Sequence, residues 1–186
     1  MAALIAFVAL VLQLGGSGLR EGLAWERDGL MAGQAWRLLS GHLVHLGWTH
    51  LLLNLAGLAL VAWLVGSAFG WLRWLIIGLV SIVAIDAGFW SLNPELDWYV
   101  GLSGLLHGLL LAGLLPGLLR IDREALVLTA FVVLKLFWEQ LMGPLPGSEA
   151  TAGNSVIVDA HLYGALGGLL GGALCLYNLP QPAQDS

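Results

Sequence analysis

Residues 100–113 read VGLSGLLHGLLLAG. A serine between glycines, with a histidine one helical turn later, sits in a segment apolar enough for a lipid bilayer. Each polar group there costs free energy unless it is hydrogen-bonded or wetted, and a site accounts for that cost. Ser103 is the candidate nucleophile. His161, in the apolar stretch DAHLYGALGG, is the candidate base. A serine hydroxyl becomes useful once an imidazole within hydrogen-bond distance takes its proton, and no third member is chemically obligatory. Taken alone, Ser103 also fits a packing or back-bonded hydroxyl, and His161 a donor to a carbonyl on a neighbouring helix.

The surrounding residues extend this reading. Gly101 and Gly104 leave backbone open for a substrate chain, and a serine at a helix start lies near N–H groups able to bind a developing oxyanion. Gly164, Gly168 and Gly172 follow His161 at spacings of three, four and four, and Gly104 and Gly108 form a matching stripe. Such stripes let helices approach more closely than the usual interaxial distance of about 8–10 Å, which brings the imidazole toward Ser103. His50 and Asn54, at i and i+4, share a helix face. An amide there can donate to an oxyanion, or simply hold two helices together.

Other polar residues read differently. Asp159 lies two positions before His161, points to another face and reads as a capping residue at the helix start. Lys135 either snorkels or pairs with Glu139 four residues on, and is given no chemistry. The spacing of His42, His45 and His50 matches no zinc signature such as H-E-x-x-H, and no cysteine or well-placed carboxylate completes a site. No metal or other cofactor is therefore expected.

The elements that must position these groups follow from composition. The 186 residues are 59% hydrophobic and 10% charged, with a mean hydropathy of +0.87, against about 25% charged in soluble domains. This describes a polytopic membrane protein. The 26 glycines suit close helix contacts and the 9 tryptophans suit membrane interfaces. A net charge of −5 offers no basic surface for nucleic acid, and the single cysteine, Cys175, can form no intrachain disulfide. A span needs about 20 residues, so there is room for six. The expected helices cover approximately residues 1–14, 49–68, 71–90, 99–119, 125–142 and 155–179 of one domain over 1–186. Residues 19–48 carry interleaved acids and arginines and read as a partly ordered amphipathic loop lying sideways at the interface. The glycine- and proline-rich residues 142–154 are a candidate cap.

Arg73, Arg120 and Arg123 place two turns, and with them both chain ends, on the cytoplasmic side by the positive-inside rule. The first loop also carries Arg20, Arg27 and Arg37, offset by Glu21, Glu26 and Asp28, and alternation puts it outside. The second, fourth and sixth helices then start from the outer face, so His50, Asn54, Ser103, His107, Asp159 and His161 share one side and depth.

With these residues in place, the sequence resembles the rhomboid intramembrane serine proteases. The resemblance rests on AWRLLSGHLVHLGWTHLLLNL, with the Trp36–Arg37 pair and the H-x-x-x-N of His50 and Asn54, on the G-x-S-G of GLSG, and on the A-H-x-x-G of AHLYG. It implies an all-α, six-helix membrane bundle with an interfacial first loop. It also implies a Ser103–His161 dyad, and an oxyanion hole from the Ser103 N–H, Asn54 and His50. Compactness, SGHLVHLGWTHLLLNLAGL and His107 are most similar to the bacterial rhombosortase branch. Many rhomboids instead carry a tyrosine four residues after the serine, stacked on the catalytic histidine. His107 departs from that pattern, which leaves the stacking role open and brings a second imidazole to the site.

By this resemblance the protein is expected in a bacterial cytoplasmic membrane with its site open to the outer face. Its expected partners are the lipid bilayer and single-span substrates whose C-terminal tail holds a Gly-Gly-type motif, a helix and a basic cluster. One alternative is a rhomboid protease of other single-span proteins. A non-catalytic rhomboid-like protein that binds membrane helices is another, against which the presence of both Ser103 and His161 weighs. For a transporter, Lys135 and Asp86 offer too little.

Overall fold

The computed structural model describes residues 1–152 and 156–178. Long apolar runs free of internal glycine pairs or proline become helices: α1 (Ala2–Leu14), α5 (Trp48–Val65), α6 (Trp71–Leu92) and α8 (Arg123–Met142). The glycine-rich α7 (Ser103–Leu119) and α10 (Val158–Asn178) are helical as well, because packing against neighbours offsets the poor helix propensity of glycine. Short elements fill the polar segments: α2 (Gly16–Leu23), β1 (Trp25–Glu26), α3 (Arg27–Met31), α4 (Arg37–Ser40), β2 (Trp98–Tyr99) and α9 (Ser148–Ala152). Among the described residues, α5, α6, α8 and Val158–Tyr177 of α10 are long and apolar enough to cross a membrane, while α1 and α7 are shorter apolar helices.

Helix α7 is the centre of the bundle. It packs against α5, α6, α8 and α10, and residues on every side of it are buried, from Gly104 and Leu105 to Leu114 and Gly117. Helix α10 lies beside it in parallel, in a register set by glycines. A Cβ on Gly164 would collide with the Gly104 carbonyl, one on Gly168 with that of Gly108, and one on Gly172 would come 3.2 Å from the Cα of Ala112. The opposite edge of α10 uses Gly167 and Gly171 to lie antiparallel against Ser81, Val80 and Ile77 of α6. One helix thus carries two glycine stripes, each fitted to a different neighbour.

Two sequence expectations are corrected. The fourth apolar helix starts at Ser103, not at residue 99, because Trp98–Tyr99 pairs antiparallel with Trp25–Glu26. Gly101 then takes a φ of +121°, a conformation that suits glycine and ends the strand. The first loop is folded rather than partly ordered. Arg37, buried, donates to the Glu21 and Ala24 carbonyls and to Gln34, and pairs with Glu26 at 3.3 Å. Arg27 donates to the carbonyls of Phe89, Asn93 and Leu96, clamping the loop to the end of α6. Its arginines are internal ties.

Smaller boundary differences have local causes. Asp122 caps α8 by accepting from the Glu124 N–H, so that helix begins at Arg123. Helix α6 runs to Leu92, where Asn93 precedes Pro94 and leaves the helical region. Helix α10 begins at Val158. The expected ends at 155 and 179 lie outside the described residues.

Candidate active site

The GLSG turn explains itself from the backbone outward. The Gly101 N–H donates to the Gly41 carbonyl at 3.0 Å, and its own carbonyl accepts from the buried Tyr99 hydroxyl at 2.7 Å. Burial pushes the Tyr99 hydroxyl well up, so it remains a donor. A Cβ on Gly101 would sit 2.8 Å from His50 Cε1, and one on Gly104 2.7 Å from the Ala160 carbonyl. Both glycines are buried. They do not lie open to a substrate chain as the sequence suggested: Gly101 makes room for the His50 ring, and Gly104 for α10.

With α7 and α10 locked in this register, His161 lies one turn before Gly164 and directly across from Ser103. The Ser103 Oγ is 3.0 Å from His161 Nε2. His107, one turn further along α7, stacks on the His161 ring, with ring centroids 4.3 Å apart and planes inclined by 23°. Its Nδ1 lies 2.7 Å from the Ser103 carbonyl. Because that oxygen can only accept, Nδ1 carries the proton and His107 Nε2 presents a lone pair.

His50 and Asn54 come to the same end of the bundle on α5. The Leu46 N–H approaches His50 Nδ1 at 3.4 Å, so the lone pair is on Nδ1 and the His50 proton is on Nε2, which faces Gly101. Asn54 is buried and gives one amide N–H to the His50 carbonyl at 3.0 Å, which leaves it a second.

The remaining candidates lie elsewhere. His42 pairs with Asp86 of α6 at 3.2 Å and tilts against Tyr99, tying the first loop to the bundle. His45 packs edge-on against His50 at 5.1 Å. Its burial, then the neighbouring His50, push its imidazole down to about 3. Among the described residues no group of three or more His, Cys, Asp or Glu side chains could hold a metal. Asp159 accepts from Asn93 at 2.6 Å, and Tyr163 donates to the same Asn93 at 2.8 Å. Asp159 therefore ties the start of α10 to the end of α6 and makes no bond to His161.

The sequence reading missed the carboxylate that does. Glu139 of α8, 3% exposed, has Oε2 2.9 Å from His161 Nδ1. Lys135, one turn earlier, lies 2.7 Å from the same oxygen, 2.8 Å from His107 Nε2 and 3.1 Å from His161 Nδ1. The buried face of α8 runs through Ala125, Val132, Leu136 and Glu139, so helical periodicity delivers Glu139 to the bundle interior. An unpaired charge there costs several kcal/mol, which Lys135 and His161 offset. The sequence held a signal for this pair, since ionisable groups inside an apolar helix rarely occur without a role.

Comparison with known proteins identifies the family. Residues 32–178 match the family model described as Rhomboid domain. The chain is 30% identical over 156 residues to "Putative rhomboid protease YdcA" of Bacillus subtilis (strain 168), covering 80% of this chain and 71% of that protein. It is 35% identical over 144 residues to "Rhomboid-like protease 5" of Toxoplasma gondii, covering 75% of this chain but only 16% of that longer protein. The chain belongs to the rhomboid family and is an intramembrane serine protease.

Proposed function

We propose that the 186 residues form one six-span domain in which Ser103 and His161 cleave the C-terminal membrane tail of exported proteins. The observation that carries this reading is the 3.0 Å contact between Ser103 Oγ and His161 Nε2. Ser103 Oγ adds to the scissile carbonyl carbon while its proton moves to Nε2. The tetrahedral intermediate then collapses, the C–N bond breaks, and Nε2 returns the proton to the leaving amine. Water releases the acyl group by the same steps. The Ser103 N–H, His50 Nε2–H and the second Asn54 N–H are the oxyanion donors.

The depth of the site follows from the length of α7. Its 17 residues span about 25 Å at roughly 1.5 Å each, short of a hydrocarbon core of about 30 Å. If its C-terminal end reaches one face, Ser103 lies recessed from the other, where only a water-filled cavity reaches it. Counting α1 and α7 as spans places Arg73, Arg120 and Arg123 on one side, the cytoplasmic one. The site then opens to the outer face of a bacterial cytoplasmic membrane. Helix α9, which packs near α5, belongs to the segment read as a cap.

Likeness to rhombosortases supports a substrate tail with a glycine-rich motif, one span and a basic end. The test is cleavage of such a tail, co-expressed with wild type, Ser103→Ala or His161→Ala at matched membrane levels. Loss in both variants is expected. Cleavage surviving Ser103→Ala overturns the nucleophile. Failure of wild type on this tail, with cleavage of a conventional single-span substrate, overturns the sorting role alone.

A further inference from the structure

We infer that Glu139 is a third member of the serine-protease constellation, a positioning residue that sets the tautomer of His161 and is itself held by Lys135, which also reaches His107. The inference rests on the Ser103–His161 reading and adds to it.

The hydrogen-bond directions close a ring. The Ser103 hydroxyl faces His161 Nε2 at 3.0 Å, and His161 Nδ1 faces Glu139 Oε2 at 2.9 Å. Glu139 Oε2 accepts from Lys135 Nζ at 2.7 Å, Lys135 Nζ reaches His107 Nε2 at 2.8 Å, and His107 Nδ1 returns to the Ser103 carbonyl at 2.7 Å. The Ser103 carbonyl and the carboxylate can only accept, and the ammonium can only donate. His107 must therefore carry its proton on Nδ1 and take one from Lys135 on Nε2. One nitrogen remains to be decided.

His161 Nδ1 has two neighbours with opposite demands. With its proton on Nδ1 it donates to Glu139, and the Nε2 lone pair is free to accept from Ser103. With the proton on Nε2 it accepts from Lys135 at 3.1 Å, and its N–H points at the nucleophile it should deprotonate. Only the first arrangement satisfies the buried carboxylate from both sides, so Glu139 selects the productive form. When Nε2 takes the serine proton, the imidazolium forms beside a carboxylate, as in serine triads, where the acid orients and stabilises the ring without itself being protonated. Lys135 gives Glu139 Oε2 a second partner at 2.7 Å, which fixes the position of that oxygen.

Removing the charge while keeping the shape tests this. In Glu139→Gln, Lys135 becomes the stronger partner of Nδ1 and the wrong tautomer prevails. Labelling by a fluorophosphonate reads it without a native substrate: the Ser103 Oγ–P bond forms, fluoride leaves, and the hydroxyl proton passes to His161. The expected loss is about 10²- to 10⁴-fold in labelling rate, with the thermal midpoint in detergent close to wild type. The double variant Lys135→Met, Glu139→Leu removes both charges together, a replacement that folded bundles tolerate, and is expected to lose labelling as well. Nitrogen NMR of wild-type His161 is expected to show the proton on Nδ1.

Either folded variant labelling within about twofold of wild type, or a wild-type His161 protonated on Nε2, overturns the inference. Ser103→Ala separates the two readings. Labelling that persists in it refutes the nucleophile, whereas labelling lost in it and kept in Glu139→Gln refutes only the role of Glu139.

Discussion

His107 lies face to face with His161, 4.3 Å between ring centroids and 23° from parallel. The position that many rhomboids give to tyrosine is here filled by a second imidazole that still stacks, and that also bonds the Ser103 carbonyl through Nδ1. Stacking limits how far the His161 ring can tilt away from Ser103. His107→Ala is expected to lower kcat about tenfold, in line with the cost of small misplacements at a reacting centre. His107→Tyr keeps a ring in place and should lose less. Peptide-cleavage kinetics of the two variants check this, and equal losses would remove stacking as the cause.

Asn54 is buried with one amide N–H committed to the His50 carbonyl. If its second N–H reaches the oxyanion, Asn54→Ala should reduce kcat by about 10- to 1000-fold with little change in KM. Unchanged turnover would leave Asn54 as an internal tie of α5.

Gly164 and Gly168 have no room for a side chain, because a Cβ on either would strike a carbonyl of α7. Gly164→Ala should therefore push α10 outward, lower stability by about 1–3 kcal/mol as overpacking does, and lower activity with it. Thermal unfolding in detergent together with fluorophosphonate labelling tests the link. A stable variant of undiminished activity would show that the two helices can separate without moving His161 from Ser103.

His45 makes stability depend on pH. The folded protein holds it neutral, with its imidazole pushed down to about 3, while an unfolded histidine titrates near 6.5. Below about pH 6.5 the unfolded chain takes up a proton that the folded one does not, so this contribution is complete above that value and declines as pH falls. Between about pH 7.5 and pH 5 it amounts to about 2 kcal/mol. The stability difference between wild type and His45→Leu, measured by unfolding at both values, should change by that amount. A difference independent of pH would mean that water reaches His45.

The sequence alone determined that the chain lives in a membrane, because 10% charge and long apolar runs have no other stable setting. It also pointed to Ser103 and His161 as the pair to bring together, and the two lie 3.0 Å apart. Glycine stripes at helical spacing on two segments imply close parallel contact, and that contact carries Ser103 to His161. Tertiary structure alone decided the surroundings of that pair. The Tyr99 strand pairs with Trp25, far away in the chain, and so moves the helix start to Ser103. The Lys135–Glu139 pair looks self-sufficient at i and i+4, and periodicity shows only that both lie near one face of α8. Which helix that face meets is set by packing around α7, and it is that packing which gives the carboxylate, still paired with its own helix's lysine, His161 as a second partner.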